Sequence, residues 1–211
     1  MSNNNGEHKR QGILYIVSAP SGAGKTSLIK ALLESVPNLH VSVSHTTRER
    51  RSYEKDGADY YFIDETKFRE MVKQNLFLEH AKVFDHFYGT SKQWVDEQLA
   101  AGKDIILEID WQGARQIREL LPNTVNIFIL PPSLATLQER LEERGDDKGI
   151  IARRMQEACS EIKQYREYDY LIINEEFAEA LQELLHLFGA TGHSYHKQGD
   201  YFDGVVRRLL G

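Results

Sequence analysis

The chain has a single cysteine, Cys159, among 211 residues. One thiol cannot close an internal disulfide, so the fold is not a disulfide scaffold, and a reducing, cytoplasmic setting is expected. Cys159 falls on a helical stripe with Ile151, Met155 and Ile162 and reads as a half-buried packing residue. No apolar run approaches the roughly 20 residues of a membrane span. Met1 to Gly12 is Asn-rich and polar, without the apolar core of a secretory signal, so residues 1–12 are expected to form a disordered tail. Positive charge is in deficit too: 26 Lys plus Arg against 32 Asp plus Glu give a formal charge of -6. That balance excludes a protein that coats nucleic acid or an anionic membrane, but a basic pocket for a small anion remains compatible with it.

Apolar residues make up 41% of the chain and charged residues 27%, enough for one packed core under a polar surface. Strand-like and helical patterns alternate. Ile13 to Val17, Ile105 to Leu107 and Val125 to Leu130 are continuous apolar runs, the mark of strands buried on both faces. Shorter strands are expected at Val41–Ser44, Tyr60–Ile63, Phe77–Phe84 and Tyr170–Ile173. Helices are expected after the Gly-rich turn (Leu28 to Val36), from Asp64, over Ser91–Ala101, Gln112–Leu121, Ile150–Tyr165 and Phe177–Phe188, and at Val205–Leu210. A further helix starts at Ser133 as cap and carries Leu134, Leu137 and Leu141 on one stripe. The polar segment Gly145 to Gly149 is a hinge. Repeated βα units imply an α/β fold with a parallel sheet between helical layers, and segment 41–90 reads as an insertion with its own small sheet.

Ala19-Pro20-Ser21-Gly22-Ala23-Gly24-Lys25-Thr26 follows a strand and opens a helix, the setting of a P-loop. Glycines let backbone N–H groups turn onto a polyphosphate, and the helix N-terminus adds partial positive charge. Lys25 would reach the β- and γ-phosphates, and the Thr26 hydroxyl is placed for Mg²⁺. The strict pattern has Gly where Ala19 stands; Gly22, Gly24, Lys25 and Thr26 keep the rest. Ser21 to Ser27 is therefore the candidate nucleoside triphosphate site, comprising Ser21, Gly22, Ala23, Gly24, Lys25, Thr26 and Ser27.

Arg48, Arg50 and Arg51 crowd one loop, which alone could be a solvated basic patch. Planar guanidinium forks match phosphate oxygens, however. Arg48 and Arg51 with the hydroxyls of Tyr60 and Tyr88 could grip one phosphate monoester, leaving Glu79 to face the attached base. Here the chain resembles the guanylate kinase family, from about Ile13 to Leu187. The resemblance rests on Ser18 to Lys25, Val43-Ser44-His45-Thr46-Thr47-Arg48, Tyr88-Gly89-Thr90, Ile109-Asp110-Trp111-Gln112-Gly113 and Tyr170-Leu171-Ile172-Ile173-Asn174. It implies a P-loop three-layer core (13–40 and 91–188), a GMP-binding mini-sheet (41–90) and a helical lid (about 138–158), with 189–211 left as a tail, a helix or a dimer contact. Arg48, Arg51, Tyr60 and Tyr88 would then hold the GMP phosphate. Ser44, Glu79, Thr90 and Asp110 would address guanine, whose N1–H and 2-amino donors suit a carboxylate.

Glu108 and Asp110 close a buried strand, where open α/β sheets place ligands and where carboxylates act on Mg²⁺ through water. They could equally cap the next helix. Glu108 stands where the family more often has Asp. Arg140 and Arg144 share a helix face and Arg153 and Arg154 open the next helix; alone these read as solvated arginines. The resemblance makes Arg140, Arg144 and Arg154 lid residues reaching the ATP phosphates, and Asn174 the adenine contact. Lys25, Arg48, Arg140, Arg144 and Arg154 are thus the expected catalytic set, with ATP and GMP as partners and Mg²⁺ as cofactor, in purine nucleotide metabolism. Two alternatives stay open: a noncatalytic interaction module of this fold, and a kinase acting on a phosphorylated sugar. The intact Gly24-Lys25-Thr26 disfavours the first, and Glu79, Thr90 and Asp110 disfavour the second. His193 and His196 read as solvated rather than metal-bound.

Overall fold

The first apolar run forms β1 (Leu14–Ser18), buried along its whole length. The computed structural model describes residues 10–143, 145 and 147–210. After β1 come α1 (Lys25–Ser35), β2 (Leu39–Val41), β3 (His45–Thr46), β4 (Tyr61–Phe62), α2 (Glu65–Lys73), β5 (Phe77–Val83) and β6 (His86–Ser91). The remainder is α3 (Lys92–Ala100), β7 (Asp104–Glu108), α4 (Trp111–Leu120), β8 (Val125–Leu130), α5 (Leu134–Glu143), α6 (Lys148–Ile162), β9 (Tyr170–Ile173), α7 (Phe177–Gly192) and α8 (Tyr195–Leu210).

Five strands form one parallel sheet in the order β2-β7-β1-β8-β9, with Ile16 of β1 opposite Leu107 and Asn126. Parallel neighbours need crossover connections, so both faces are covered by helices. On one face Leu28, Ile29 and Leu32 of α1 and Ala180, Leu184 and Phe188 of α7 pack on Tyr15, Val17 and Ile127. On the other, Val95 of α3 and Ala114 and Ile117 of α4 pack on Ile16, Leu107 and Phe128. Each fully buried Val, Leu, Ile or Phe among them contributes about 1.5–3 kcal/mol. The expected three-layer α/β core is therefore the observed one. A second sheet, β4-β3-β6-β5, lies wholly within the segment between β2 and α3. Its longest pairing is the antiparallel β5–β6 hairpin, with β5 at one edge.

Several boundaries differ from the expected ones. The strand expected at Val41–Ser44 is two strands: β2 ends at Val41 beside β7, and the chain enters the second sheet only at His45. Ser42 still donates to the Ile106 carbonyl at 3.0 Å, so residues 42–44 bridge the two sheets. β6 had no expected counterpart, because its sequence HFYGTS lacks an apolar alternation; pairing with β5 and β3 makes it a strand. Asp147, whose side chain accepts from Gly149 and Ile150, starts α6 two residues before the expected Ile150. α6 ends at Ile162 rather than about Tyr165, and Tyr165–Glu167 form a separate 3-10 turn.

α7 runs to Gly192 rather than Phe188, and α8 begins at Tyr195, ten residues before the expected Val205, with a kink at Gln198. Gln198 donates to the Gln11 carbonyl at 3.0 Å and Lys197 to the Asn123 carbonyl at 2.9 Å, which ties α8 to the core. Of the expected tail 1–12, residues 1–9 lie outside the described residues. Arg10 is fixed by Asp104, at 2.7 and 2.9 Å, and by the Gly102 carbonyl at 2.8 Å. Asp64, Ser91, Asp110 and Asp147 cap α2, α3, α4 and α6, each worth about 1 kcal/mol. Ser133 Oγ accepts from the Thr136 N–H at 3.0 Å, the expected cap of α5. No helix among the described residues is long and apolar enough to cross a membrane.

Candidate active site

The turn after β1 ends at Gly24, which caps α1 in a left-handed conformation (φ 91°) and supplies no side-chain cap. The first N–H groups of α1 are thus left open to an anion. Asn174, just past β9 and 4% exposed, donates through Nδ2 to the Ala23 carbonyl at 2.7 Å. A Cβ on Gly24 would lie 2.3 Å from that Nδ2, so glycine is required there by contact as well as by conformation. The Asn174 carbonyl in turn accepts from Arg140 Nη2 at 3.1 Å. Gly22, Gly24, Ser27, Arg140 and Asn174 line a cleft of about 470 Å³. Asn174 Oδ1 and Arg140 Nη1 are buried polar atoms without a partner among the described residues.

At the end of β7, Glu108 Oε2 accepts from the Thr26 hydroxyl at 3.0 Å. Asp110 is used differently. One of its oxygens accepts from the Gly113 N–H at 3.0 Å as the cap of α4, and the other from Gln112 at 2.8 Å. Of the two carboxylates expected near the metal, Glu108 is the one at Thr26. Thr26 and Glu108 offer hard oxygen donors beside the phosphate loop, as Mg²⁺ requires. No cluster of three or more His, Cys, Asp or Glu able to hold a metal exists among the described residues.

On the second sheet, Arg48 lies with its guanidinium 5.4 Å from the Tyr60 ring centre, and the Tyr60 and Tyr88 rings meet edge to face at 5.9 Å. Arg48 and Arg51 converge on one buried carboxylate, Glu54. The Tyr60 phenol is pushed up to about 12, by burial first, then by Tyr88 and by the charge of Glu108. Glu108, at the end of β7, thus bears on both Thr26 of the phosphate loop and Tyr60 of the inserted segment.

Glu79 of β5 is 3% exposed, and its Oε1 accepts from the Thr90 hydroxyl of β6 at 2.6 Å. Burial pushes the Glu79 carboxyl up to about 7, and Asp110 adds to the rise while Thr90 opposes it. A Cβ on Gly113 would lie 2.3 Å from Glu79 Oε2, so α4 approaches the carboxylate over bare backbone. Ser44 is buried beside this strand pair, its carbonyl accepting from the Tyr61 N–H at 2.9 Å. Thr90, expected to address the base, donates its one O–H proton to Glu79 in this structure and orients that carboxylate.

Beyond Asp110, a cleft of about 190 Å³ is lined by Lys82, Gln112, Glu157 and Glu161. The Glu161 carboxyl is raised to about 7 by burial and Asp110, against the opposing charge of Lys25. Lys25 and the helix α6 thus share one electrostatic neighbourhood. Phe84, at the tip of the β5–β6 hairpin, receives the guanidinium groups of Arg153 and Arg154 at 5.5 and 5.9 Å from its ring centre. Arg153 also pairs with Asp85 at 2.8 Å. Arg144 lies outside the described residues, as does the side chain of His196; His193 Nδ1 lies 3.0 Å from the Gly189 carbonyl. The sequence reading missed Glu54 and Glu161. Glu54 had a local signal, an acid three residues beyond a basic triplet; Glu161 had none, since only folding brings α6 to Lys25.

A phosphate loop at the end of a parallel strand, with an inserted small sheet whose segment carries arginines and tyrosines, defines a P-loop nucleotide kinase. The family model described as guanylate kinase matches residues 11–191. The guanylate kinase of Coxiella burnetii is 54% identical over 198 residues, covering 93% of this chain and 94% of that protein. That of Saccharophagus degradans is 53% identical over 200 residues, covering 94% and 98%. The crystal structure of guanylate kinase from Anaplasma phagocytophilum superposes with a TM-score of 0.77 at 34% identity, covering 90% of this chain and 91% of that one. The chain belongs to the guanylate kinase family.

Proposed function

We propose that this chain phosphorylates GMP with ATP, giving GDP and ADP, by direct in-line transfer between the two facing sites. The observation that carries the geometry is Glu108, hydrogen-bonded to Thr26 on the ATP side and contributing to the raised Tyr60 phenol on the GMP side. Ser21 to Ser27 bind the ATP phosphates, with Lys25 at the β- and γ-positions, and Asn174 shapes the cleft in which adenine would rest. Arg48, Arg51, Tyr60 and Tyr88 hold the GMP phosphate. Glu79 accepts from guanine N1–H and the 2-amino group, positioned by Thr90 and flanked by Ser44 and Asp110. Adenine would set its N1 lone pair against the same carboxylate, leaving buried polar groups unpaired.

The attacking oxygen belongs to a phosphate monoester whose second pKa is about 6, so near neutral pH it is already a dianion and needs no general base. The protein's work is to position two anions and neutralise charge as the phosphoryl group moves. Lys25, Arg48, Arg140, Arg144 and Arg154 supply that charge. Mg²⁺, entering with ATP, would be held by Thr26, with Glu108 or Asp110 through water, and would neutralise phosphate oxygens. Contact between Phe84 and the arginines of α6 links the acceptor sheet to the lid, whose closure excludes the water that would otherwise take the phosphoryl group.

A coupled assay of ADP release with GMP, dGMP, AMP, UMP and ribose phosphates as acceptors tests this reading. GMP should give turnover well above the ATPase background, with AMP and the sugar phosphates near it. No signal with GMP would overturn it.

A further inference from the structure

The side chain that organises the second phosphate site is an acid. Glu54 is 6% exposed and sits in the loop between β3 and β4. Its Oε1 accepts from Arg48 Nη2 at 2.6 Å and its Oε2 from Arg48 Nη1 at 3.1 Å, an end-on fork. Oε2 also accepts from the Arg51 backbone N–H at 2.9 Å, and the Arg51 guanidinium lies 3.7 Å from Oε1. The backbone closes the same turn: Glu54 N–H donates to the Arg51 carbonyl at 3.1 Å, and its own carbonyl accepts from Arg50 Nη1 at 2.9 Å.

We infer that Glu54 is the positioning residue of the acceptor-phosphate site, holding Arg48 and Arg51 as an oriented pair with one guanidinium fork turned to the phosphate. The inference rests on the proposed role of those arginines in gripping the GMP phosphate.

Guanidinium geometry carries the argument. Arg48 has five N–H donors in one plane. Nη1 is spent on Glu54 and on the Glu49 carbonyl at 2.8 Å, and one Nη2 hydrogen on Glu54. Among the described residues, the second Nη2 hydrogen and Nε–H are engaged by neither an acid nor a carbonyl, and the Tyr88 side chain, hydrogen-bonded to Arg48, reaches the same guanidinium. These two hydrogens lie on one edge and form the side-on fork that matches two phosphate oxygens. The Tyr60 and Phe62 rings, with centres 5.4 and 5.8 Å from the guanidinium carbon, restrain the same plane. Without Glu54, two long cationic side chains would repel one another, and each would lose its rotamer freedom only when phosphate arrives. Binding would then have to supply the ordering that the free protein already has.

The opposite expectation follows if Glu54 is merely a counter-charge. It cancels one of two positive charges at a site for a dianion, so its removal would then tighten GMP binding. The two readings differ in sign. Glu54→Ala and the near-isosteric Glu54→Gln should be measured for KM with GMP and with ATP, and for inhibition by guanosine, which lacks the phosphate. Positioning predicts a GMP KM raised roughly tenfold to a hundredfold in Glu54→Ala, as when the partner orienting a ligand group is removed. Glu54→Gln, which keeps one acceptor, should fall between Glu54→Ala and wild type, while the ATP KM and the guanosine inhibition constant stay within about twofold. General loss of structure would move all three constants together and would overturn the inference, as would a GMP KM that is unchanged or lower. If Glu54→Ala does not fold, Glu54→Gln carries the same comparison. Arg48→Ala in parallel separates the two levels. An unchanged GMP KM there would overturn the phosphate assignment itself, whereas loss in Arg48→Ala with none in the Glu54 variants would overturn only the role of Glu54.

Discussion

The Thr90 hydroxyl donates to Glu79 Oε1 across 2.6 Å, with both side chains closed off from solvent. A buried threonine thus orients the acid proposed to read the base. Thr90→Val keeps shape and removes the donor, leaving a buried carboxylate one hydrogen bond short. The Glu79 carboxyl should rise above its value of about 7, because Thr90 is what holds it down. At pH 7 the KM for GMP should then increase by about tenfold, the equivalent of roughly 1.4 kcal/mol. The increase should shrink at higher pH, where the carboxyl ionises regardless, and the ATP KM should not move. Steady-state kinetics at pH 7 and 8.5 make the comparison; equal losses at both would argue against the hydroxyl's role.

Glu79 also makes stability depend on pH. Its carboxyl is raised on folding from an ordinary 4.5 to about 7, so the folded chain favours the protonated acid. That contribution is complete below the unfolded value and is lost as pH rises through the folded one. Between about pH 4.5 and 7 the free enzyme should lose up to about 3 kcal/mol relative to Glu79→Gln, which has no charge to bury. Thermal melts of the two proteins across pH 5 to 8 should therefore diverge, with the variant the more stable at pH 8. GMP, whose ring donors favour the charged carboxylate, should narrow the gap for wild type. The variant should lose well over tenfold in GMP turnover while retaining ATP binding. Parallel melts would refute the burial argument.

The parallel core was legible because β1, β7 and β8 are buried on both faces and so appear as unbroken apolar runs. The phosphate loop was legible because its glycines and lysine are contiguous. β6 was not, because HFYGTS becomes a strand only by pairing with β5 and β3, at residues distant in sequence. In the second sheet's segment, Arg48 and Arg51 stood out as cations, whereas Glu54, the carboxylate that pairs with both, was not singled out. Residue type indicates what a side chain is able to do; Thr90 and Asn174 show that the partner it meets decides what it does.

Asn174 holds the phosphate loop through the Ala23 carbonyl, and its Nδ2 occupies the space a Cβ on Gly24 would need. Asn174→Asp replaces a donor with an acceptor facing that carbonyl, so the loop must move. The ATP KM should rise by about tenfold or more, from loss of a buried hydrogen bond plus repulsion. Gly24→Ala meets the same side chain while also occupying an unfavourable positive φ. Combining Gly24→Ala with Asn174→Ala should recover part of the loss, because the clash is gone although the backbone strain stays. A double variant no better than Gly24→Ala alone would mean that conformation, and not contact, fixes the glycine.

Thr26 and Glu108 make the last test, because their hydrogen bond already joins the two oxygens expected around the metal. Thr26→Val removes the hydroxyl, whereas Thr26→Ser keeps it. Glu108→Gln keeps the size and removes the charge. If Thr26 ligates Mg²⁺ directly and Glu108 acts through water, Thr26→Val should raise the Mg²⁺ concentration needed for half-maximal rate by about tenfold or more, and Thr26→Ser should be close to wild type. Glu108→Gln should give a smaller shift in the same direction, because a neutral amide still binds water but orients it less strongly. The GMP KM measured at saturating Mg²⁺ should stay within about twofold in the two Thr26 variants, since Arg48 and Arg51 lie in the segment that carries the other sheet. Titrating Mg²⁺ at fixed ATP reads the effect directly, and equal Mg²⁺ requirements in Thr26→Val and wild type would remove the hydroxyl from the metal site.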